Sequence, residues 1–419
     1  MALVAKAAKA RGLTVVVVGQ NPLPRQGPFA VPDGVVDELI PLASWSDADA
    51  VRAVLDDLYE RYEIAGTYAA FEAALPYDAE LRARAGLPTS GADALRAALD
   101  KGEVRDRLRA EGLSRLRSTT LAGALRWDTW GFDGPAILKP AHGTGSAMCF
   151  TVGSLDELRA AADEIERTPL AAGMTRDYVL SGGFVLEQKA QGELLSVESL
   201  VHDGEVKVVG LLGRYLLAGD PVVEQAAVFP YQHPRHAEIA EAAVAFHRCL
   251  GITHGPTHLE VMVPDDGPVE LIDFNLRVAG AGAVLLFGLV LGTPYEELLT
   301  DLGCGAAPDL DALSPTRGWA AECLTLPRPG TTELRDLSVP ETARFVRPTK
   351  ELGQRLTGRS DQLDTVVMFV VTAASPEELH EVLLDARRRT VVNGEPLGDN
   401  PNNRLIAPQH LRTLAGLAV

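Results

Sequence analysis

The apolar positions in the first quarter of the chain alternate between strand-like runs and helical spacing. Residues 13–18 and 64–71 are short apolar runs of the kind that forms buried strands. Residues 46–62 have helical spacing behind a Ser/Asp cap, and residues 2–11 are rich in Ala, Lys and Leu. Strands that alternate with helices predict a parallel α/β sheet, which binds ligands at the carboxyl ends of its strands.

A strand, a glycine-rich turn and a returning strand follow at residues 134–152. The first strand ends in Lys139, and the turn contains Gly143, Gly145 and Ser146. Glycines let backbone amides approach phosphate oxygens, and a nearby lysine supplies positive charge. Because the lysine precedes the glycines, this is not a Walker A loop, and a tight hairpin turn is the alternative interpretation.

The segment before this unit, residues 91–111, predicts one or two helices that are dense in basic residues. Taken individually, Lys101, Arg105, Arg107 and Arg109 indicate a solvated helix face. Farther along, residues 168–183 predict a mobile loop.

The most informative hairpin is residues 257–277, in which two apolar runs flank the turn Pro-Asp-Asp-Gly. Side chains alternate along a strand, so Asp273, Asn275 and Arg277 point the same way. Carboxylate and amide oxygens suit Mg²⁺, and an arginine just beyond them suits a phosphate or an oxyanion. The alternative is a solvated hairpin edge that carries ordinary charges.

The register of this hairpin decides which residues of its first strand lie on the same face as Asp273, a face that we call the acidic wall. If Pro264 lies opposite Gly267, then His258 faces Asp273 and Glu260 lies one diagonal step from it. A slip of one residue would send Glu260 to the other face of the sheet.

The C-terminal part has a different pattern, with prolines that punctuate short strands from about residue 310. A strand at 366–372 and a helix at 375–389 predict a separate α+β domain without apparent chemistry. The predicted domains are 1–95, 96–190, 191–308 and 309–419.

Composition limits the function classes. The chain has 419 residues, enough for two or three domains, and a net charge of −18, which argues against nucleic acid or an anionic membrane as partner. The four cysteines are scattered without a CxxC motif, which indicates a reducing cytoplasm and no zinc site. No apolar run is long enough to span a bilayer, and no signal-peptide pattern opens the chain.

The order of these features resembles the ATP-grasp superfamily, and within it the carboxylate–amine ligases that include the L-amino acid ligases. The resemblance covers roughly residues 96–305, and its most specific part is Thr-His-Leu-Glu260 followed by Ile-Asp273-Phe-Asn275-Leu-Arg277. It implies an N-terminal α/β domain, a small ATP lid, a central antiparallel-sheet subdomain with the metal site and a C-terminal α+β domain.

The resemblance also implies roles for individual residues. Lys101 and Lys139 grip the ATP phosphates under the loop of Gly143, Gly145 and Ser146. The adenine hinge and ribose contact comprise Glu187, Gln188, Ala190 and Glu193; the Mg²⁺ ligands are Glu260, Asp273 and Asn275. Arg277 steadies the acyl phosphate and the tetrahedral intermediate, and the substrate contacts are Glu72, His258, Gly280 and Gly282.

Three positions depart from the family pattern. Asp273 stands where the family has Glu, and Glu193 comes one place before the usual Glu of the Gly-x-Glu motif. The chain begins in a helix where the family's N-terminal domain begins with a strand.

The implied activity is ATP-dependent, ADP-forming ligation of an amino acid or small carboxylic acid to an amino acid in the cytoplasm. The implied cofactors are ATP and two Mg²⁺ ions, with Mn²⁺ as a substitute, and a homodimer is implied as well. Two alternatives stay open. One is a non-catalytic ATP-binding sensor or scaffold, and the other is an ATP-grasp ligase or carboxylase with a different nucleophile.

Overall fold

The computed structural model describes residues 1–19, 31–143, 148–167, 174–280, 282–310, 318–358, 360 and 362–414. Helices and strands are combined in four sheets of two, nine, three and four strands among these residues. This confirms the prediction of mixed α/β and α+β architecture.

The N-terminal part contains a small parallel sheet between helices. Its elements are α1 (Ala2–Ala10), β1 (Val16–Gly19), β2 (Glu38–Pro41), α2 (Ala48–Arg61) and α3 (Leu75–Arg84). The predicted strand at residues 64–71 is wrong, because this segment has no ladder partner among the described residues. Its backbone is bonded elsewhere, since the Thr67 amide donates to the carbonyl of Gly303 at 3.1 Å.

The next part is built around a four-stranded antiparallel sheet with the order β3-β6-β4-β5. Its elements are α4 (Ala92–Leu99), α5 (Lys101–Ala110), β3 (Ser118–Thr120), α6 (Leu121–Ala124), β4 (Ala136–Pro140), β5 (Phe150–Val152), α7 (Leu155–Arg167), α8 (Met174–Ser181) and β6 (Phe184–Gln188). Buried Leu138, Leu158 and Leu186 form its own apolar core. The loop predicted at 168–183 is corrected in part, because residues 174–181 form α8; residues 168–173 lie outside the described residues.

The central part is a long sheet packed against helices. Its elements are β7 (Glu193–His202), β8 (Glu205–Leu217), β9 (Asp220–Phe229), α9 (His236–Leu250), β10 (Gly255–Val263), β11 (Glu270–Asn275), α10 (Ala283–Leu291) and α11 (Tyr295–Gly303). The predicted Asp-Gly hairpin is confirmed, since β7 and β8 pair up to His202 opposite Glu205. Asp203 and Gly204 make its turn with φ of 49° and 79°.

The remaining elements are β12 (Trp319–Thr325), β13 (Leu337–Ser338), β14 (Arg344–Pro348), β15 (Val367–Ala373), α12 (Pro376–Arg389), β16 (Val391–Val392), β17 (Glu395–Pro396), β18 (Leu405–Ile406) and α13 (Gln409–Leu414). Strands β13, β16 and β17 pair in a small sheet of their own, whereas β12, β14, β15 and β18 join the central sheet. Strand β12 pairs with β9, so the central sheet continues in the order β11-β10-β7-β8-β9-β12-β15-β14. The predicted boundary at 308 therefore falls within one continuous sheet.

No single helix among the described residues is long and apolar enough to cross a membrane; only the sharply bent pair of α10 and α11 has that length and composition together.

Candidate functional site

Two polar rows cross the hairpin of β10 and β11 on one face of the central sheet. Glu260 lies directly opposite Asp273, and His258 lies directly opposite Asn275. The residues between them, Leu259 and Phe274, point to the other face and are buried in the main apolar core. The predicted ionic face and apolar face of this hairpin are both present.

The assumed register of the hairpin was wrong by two residues at this end. Asp273 pairs with Glu260 and not with His258, because the turn is longer than assumed and a β-bulge lies beside Ile272. Pairing shifts at the bulge, where Val261 lies opposite Leu271. A shift of two residues keeps every side chain on its face, so the acidic wall survives the correction.

The ionic face extends onto β7 and β8. Ser196 lies opposite Glu260, and Glu198 lies opposite His258. Glu198 accepts a hydrogen bond from Nδ1 of His258. Burial disfavours the imidazolium, but the carboxylates of Glu198 and Glu260 outweigh it and raise the pKa of His258 to about 9. His258 is therefore bound to protein carboxylates, and its predicted substrate contact stays a prediction.

Arg214 of β8 is a buried cation that the sequence analysis missed. Its guanidinium lies 3.1 Å from Oε1 of Glu260 and 2.6 Å from Oε2 of Glu224. It also donates to Oγ of Ser196 at 2.6 Å. The available signal was a single arginine inside an otherwise apolar strand, which only the pairing of β7 with β8 places beside the hairpin.

Lys101 connects the lid to the acidic wall. It begins α5, whose first amides are capped by Oδ1 of Asp100. Its Nζ lies 3.1 Å from Oδ1 of Asp273 and donates to the carbonyl of Gly143 at 3.1 Å. One ammonium thus contacts the hairpin and the start of the glycine-rich loop. Gly145 and Ser146 lie outside the described residues.

Lys139 and Glu187 meet in a buried ion cluster below the loop. Nζ of Lys139 lies 3.0 Å from Oε1 of Glu187 and donates to the carbonyl of Ile272 at 3.0 Å. Nε of Arg105 lies 2.7 Å from Oε2 of the same carboxylate. Burial opposes ionisation of Glu187, but Lys139 and Arg105 outweigh it and lower its pKa.

Arg105 corrects the prediction of a solvated helix face on α5. Its side chain is only 2% exposed, and it donates to Oγ of Ser114 at 2.7 Å as well as to Glu187. Ser114 in turn donates to Glu270 at the start of β11. Sequence spacing alone could not separate Arg105 from the exposed Arg109, because both lie on a helix rich in charge.

The predicted adenine hinge, residues 187–190, lies at the end of β6 and before β7. Both oxygens of Glu187 are held by the two cations, while the amide of Gln188 donates to the carbonyl of Arg117 at 2.9 Å. Ala190 is buried just before β7. An adenine contact by Glu187 would therefore have to use its backbone rather than its occupied carboxylate.

Glu193 lies apart from this group. On β7 it has the same parity as Leu195 and Val197, so it is on the core face and not on the face of Ser196 and Glu198. Its Oε1 accepts hydrogen bonds from the Tyr231 hydroxyl at 2.6 Å and the Gln409 amide at 2.5 Å. These bonds direct Oε1 towards α13, and the predicted ribose contact stays a prediction.

Arg277 follows β11 and is held by the N-terminal part. Its Nε donates to Oε1 of Glu72 at 2.5 Å, and Glu72 is buried. Glu72 therefore fixes the guanidinium, which the sequence analysis did not foresee. Nearby, Tyr178 of α8 packs against Phe71 with ring centroids 5.7 Å apart.

Gly280 and Gly282 follow Arg277 in the loop that leads to α10. The amide of Gly282 donates to Oε1 of Glu322 at 2.8 Å. Gly280 has no neighbour that a Cβ would meet, so its predicted substrate contact depends on a ligand.

Known proteins resemble this chain both in a stretch of sequence and in fold. Residues 132–284 match the family model described as the ATP-grasp domain. The solved L-amino acid ligase of Bacillus licheniformis superposes with a TM-score of 0.77 at 18% identity, covering 94% of this chain and 96% of that one. Residues 132–284 thus have the sequence pattern of an ATP-grasp domain, and the superposition shows that the chain has the same fold as this ligase. The predicted ATP-grasp fold is confirmed.

Two curated relatives are similar in sequence to parts of this chain. The L-arginine-specific L-amino acid ligase of Bacillus subtilis is 26% identical over 151 residues, which are 35% of this chain and 35% of that protein. The alanine–anticapsin ligase of Bacillus subtilis is 23% identical over 263 residues, 58% of this chain and 56% of that protein. The chain therefore spans about half the length, or less, of these relatives.

ATP-grasp domains bind ATP with Mg²⁺, and the hairpin carboxylates fit such an ion. Among the described residues, the protein contacts of Glu260 use Oε1 and those of Asp273 use Oδ1. Their second oxygens remain for a metal, and Asn275 adds an amide oxygen on the same face. This set of hard oxygen donors is the kind that Mg²⁺ prefers.

Proposed function

We propose that this protein is an ATP-dependent, ADP-forming ligase that joins an amino acid or small carboxylic acid to an amino acid through an acyl phosphate. The observation that carries the proposal is the row Lys101–Asp273–Glu260, with Arg277 two residues after the end of β11. The names of the two relatives, both amino acid ligases, agree with it.

In this proposal the nucleotide lies between the lid and the ionic face. Lys101 and Lys139 contact its phosphates, and the loop that starts at Gly143 covers them. Lys101 can exchange the carbonyl of Gly143 for a phosphate oxygen, because that contact is an ordinary hydrogen bond of 3.1 Å. The segment from Glu187 to Ala190 would hold the adenine.

Glu260, Asp273 and Asn275 would hold Mg²⁺, as two ions or one, with Mn²⁺ as a substitute. The bound ion neutralises the triphosphate and so helps the γ-phosphoryl group to transfer. Arg214 would orient Glu260 for this task, since it binds Oε1 and leaves Oε2 for the ion. Asp273 is one methylene shorter than Glu, so its reach limits how closely it can bridge two ions.

The chemistry has two steps. A carboxylate oxygen of the first substrate attacks the γ-phosphorus, and ADP leaves. The amine nitrogen of the second substrate then attacks the acyl carbon, the amide bond forms, and phosphate leaves. Arg277 opposes the negative charge of the tetrahedral intermediate, and its ion pair with Glu72 keeps the guanidinium oriented.

The site must exclude water during the reaction, because water hydrolyses an acyl phosphate. Tyr178 of α8 supplies part of this closure. It packs on Phe71 of the N-terminal part and stacks on His142 of the lid with ring centroids 5.3 Å apart. These contacts join the two parts over the site.

A pairwise screen of amino acids tests the proposal. The purified protein, ATP and Mg²⁺ are incubated with each pair, and phosphate release is measured together with the product mass. We expect phosphate release that requires both an acid and an amine, with a product lighter than the sum by one water. ATP binding without any such release would favour the sensor or scaffold alternative, and release with a thiol or bicarbonate would favour a different nucleophile.

A further inference from the structure

Glu322 lies on the ionic face but on the far side of Arg214 from the hairpin. Arg214 of β8 is opposite Ala227 of β9, and Ala227 is opposite Glu322 of β12. Directly opposed residues point to the same side of a sheet. Glu322 therefore lies on the same face of the sheet as Arg214, two strand spacings or roughly 10 Å away. The space over this face is the proposed substrate cleft.

The carboxylate of Glu322 is buried beside Gly282, the residue before α10. It is 8% exposed, and its Oε1 accepts the amide hydrogen of Gly282 at 2.8 Å. A Cβ at position 282 would lie 2.9 Å from Oε1, so the loop needs glycine to approach the carboxylate this closely. Gly282 thus holds one oxygen of Glu322, five residues along the chain from Arg277.

Glu322 differs from the other carboxylates of this cleft in its partners. Asp273 has Lys101, Glu260 and Glu224 share Arg214, and Glu198 has His258. Glu322 makes no ion pair with any residue that the structure describes. A buried carboxylate without a cation is costly when ionised, which makes it a ready acceptor for a cationic ligand group.

The charges around Glu322 agree with this view. Burial and the nearby carboxylate of Glu224 raise its pKa to about 8, although the Gly282 amide and the positive charge of Arg347 on β14 act the other way. Glu224 is itself held by Arg214 on the neighbouring strand. The positive charge around Glu322 is thus too weak to offset its burial, and a bound cation would add to it.

We propose that Glu322 binds the cationic side chain of an amino-acid substrate, an ammonium or a guanidinium, at the end of the cleft away from the metal-binding hairpin. This inference rests on the proposed ligase function, because it assigns the substrate class of the same site. The separation from Arg214, which binds the metal-site carboxylate Glu260, suits a long side chain.

The test uses substrates that differ only in charge. Arginine is compared with citrulline, and lysine with norleucine, by kcat/KM for phosphate release in the wild type and in Glu322→Gln. We expect the wild type to prefer the cationic member of at least one pair. In Glu322→Gln the cationic-to-neutral ratio should fall about tenfold to a hundredfold, since the negative charge that strengthens the hydrogen bond to the cation is lost.

The pH dependence distinguishes recognition from a merely structural role. Binding needs ionised Glu322, so the wild-type preference for arginine over citrulline should rise as pH increases through about 8, while the guanidinium stays charged. The ratio in Glu322→Gln should not change with pH. The exposed Glu351→Gln, a matched control, should keep the wild-type ratio and its pH dependence.

A second variant keeps the inference testable if Glu322→Gln does not fold. In Gly282→Ala the new methyl group should displace the Glu322 carboxylate and lower the same ratio. An unchanged ratio in folded Glu322→Gln, or a wild type that favours neither cation, would overturn the inference. If no pair releases phosphate, the ligase proposal fails on its own; calorimetric binding of arginine against citrulline then decides on Glu322, and equal affinities would overturn it.

Discussion

Two ion clusters meet at β11 and use the same residue types in different ways. The junction cluster comprises Arg105, Lys139, Glu187 and Glu270, with side chains 2–10% exposed. The cleft cluster comprises Lys101, Glu260, Asp273 and Arg277, with side chains 15–26% exposed. In the junction cluster both oxygens of Glu187 are held by cations, whereas Glu260 and Asp273 use one oxygen each in the described contacts.

This difference separates charged groups that stabilise the fold from charged groups whose remaining oxygens can bind a ligand. A buried network that is fully paired fixes the lid sheet on the hairpin, because Arg105 and Lys139 also bind the carbonyls of Leu271 and Ile272. The cleft cluster is held in place but retains oxygens that face the cleft. Lys139 belongs to the buried cluster and also to the proposed phosphate contacts, so its substitution should affect both stability and activity.

Changes in the cleft cluster should break activity and spare the fold. Asp273→Asn removes the charge that Lys101 and a metal need while keeping the shape of the side chain. Phosphate release should fall by more than about a hundredfold, because metal-assisted charge stabilisation is worth several kcal/mol. Steady-state kinetics measure the loss, and the melting temperature should stay close to wild type.

Asp265→Asn is the matched control for this prediction, since Asp265 is an exposed residue of the same hairpin. It should retain full activity. An active Asp273→Asn variant would mean that the hairpin is not the reacting centre.

The junction cluster should behave in the opposite way. Arg105→Ala leaves Glu187 and Glu270 short of a buried cation and should lower the free energy of unfolding by about 3–5 kcal/mol. Urea denaturation measures this loss. The exposed Arg109→Ala on the same helix should stay within about 0.5 kcal/mol of wild type.

The way in which the destabilisation by Arg105→Ala depends on pH follows from the ionisation of Glu187. Its pKa is lowered in the folded protein, so its contribution to stability is present above its ordinary pKa and is lost as pH falls. The destabilisation by Arg105→Ala should therefore shrink in acid. A difference that stays constant from pH 7 to below the lowered pKa of Glu187 would contradict the assignment.

Arg214 should affect metal affinity more than the fold. Arg214→Lys keeps the charge but loses the fork that contacts Glu260, Glu224 and Ser196 together. The Mg²⁺ concentration for half-maximal activity should rise about tenfold, as expected when a residue that orients a metal ligand is changed. A Mg²⁺ titration of activity tests this, and an unchanged titration would remove Arg214 from the site.

The smallest expected effect concerns the stability of the unliganded protein. The raised pKa of Glu322, about 8, means that the wild type loses stability as pH rises from the ordinary carboxyl range to about 8. Glu322→Gln escapes this loss. Its melting temperature relative to wild type should rise by about 1–3 °C between pH 5 and pH 8, measured by calorimetry without substrate.

The parts of this site that the sequence could predict depend on local patterns. Alternation along the hairpin placed Asp273 and Asn275 on one face, and the strand before the glycine-rich turn placed Lys139. The exact pairing of Glu260 could not be predicted, because a β-bulge beside Ile272 leaves no composition signal.

The parts that could not be predicted depend on long-range packing. Arg105 and Arg109 have similar sequence surroundings, and only the position of β11 buries the first. Arg214 and Glu322 reach the cleft through strand pairings across β8, β9 and β12. The proline-rich composition after residue 310 suggested a separate domain, yet β12 and β15 satisfy their backbone groups by extending the central sheet.

The acyl phosphate is the central claim, and an isotope transfer tests it most directly. An acid substrate labelled with ¹⁸O in its carboxylate is ligated by the wild-type protein with ATP and Mg²⁺, and the released phosphate is analysed by mass spectrometry. Transfer through an acyl phosphate moves one carboxylate oxygen into phosphate, so we predict one ¹⁸O per phosphate and ADP as the other product. Amide product accompanied by unlabelled phosphate would contradict the mechanism.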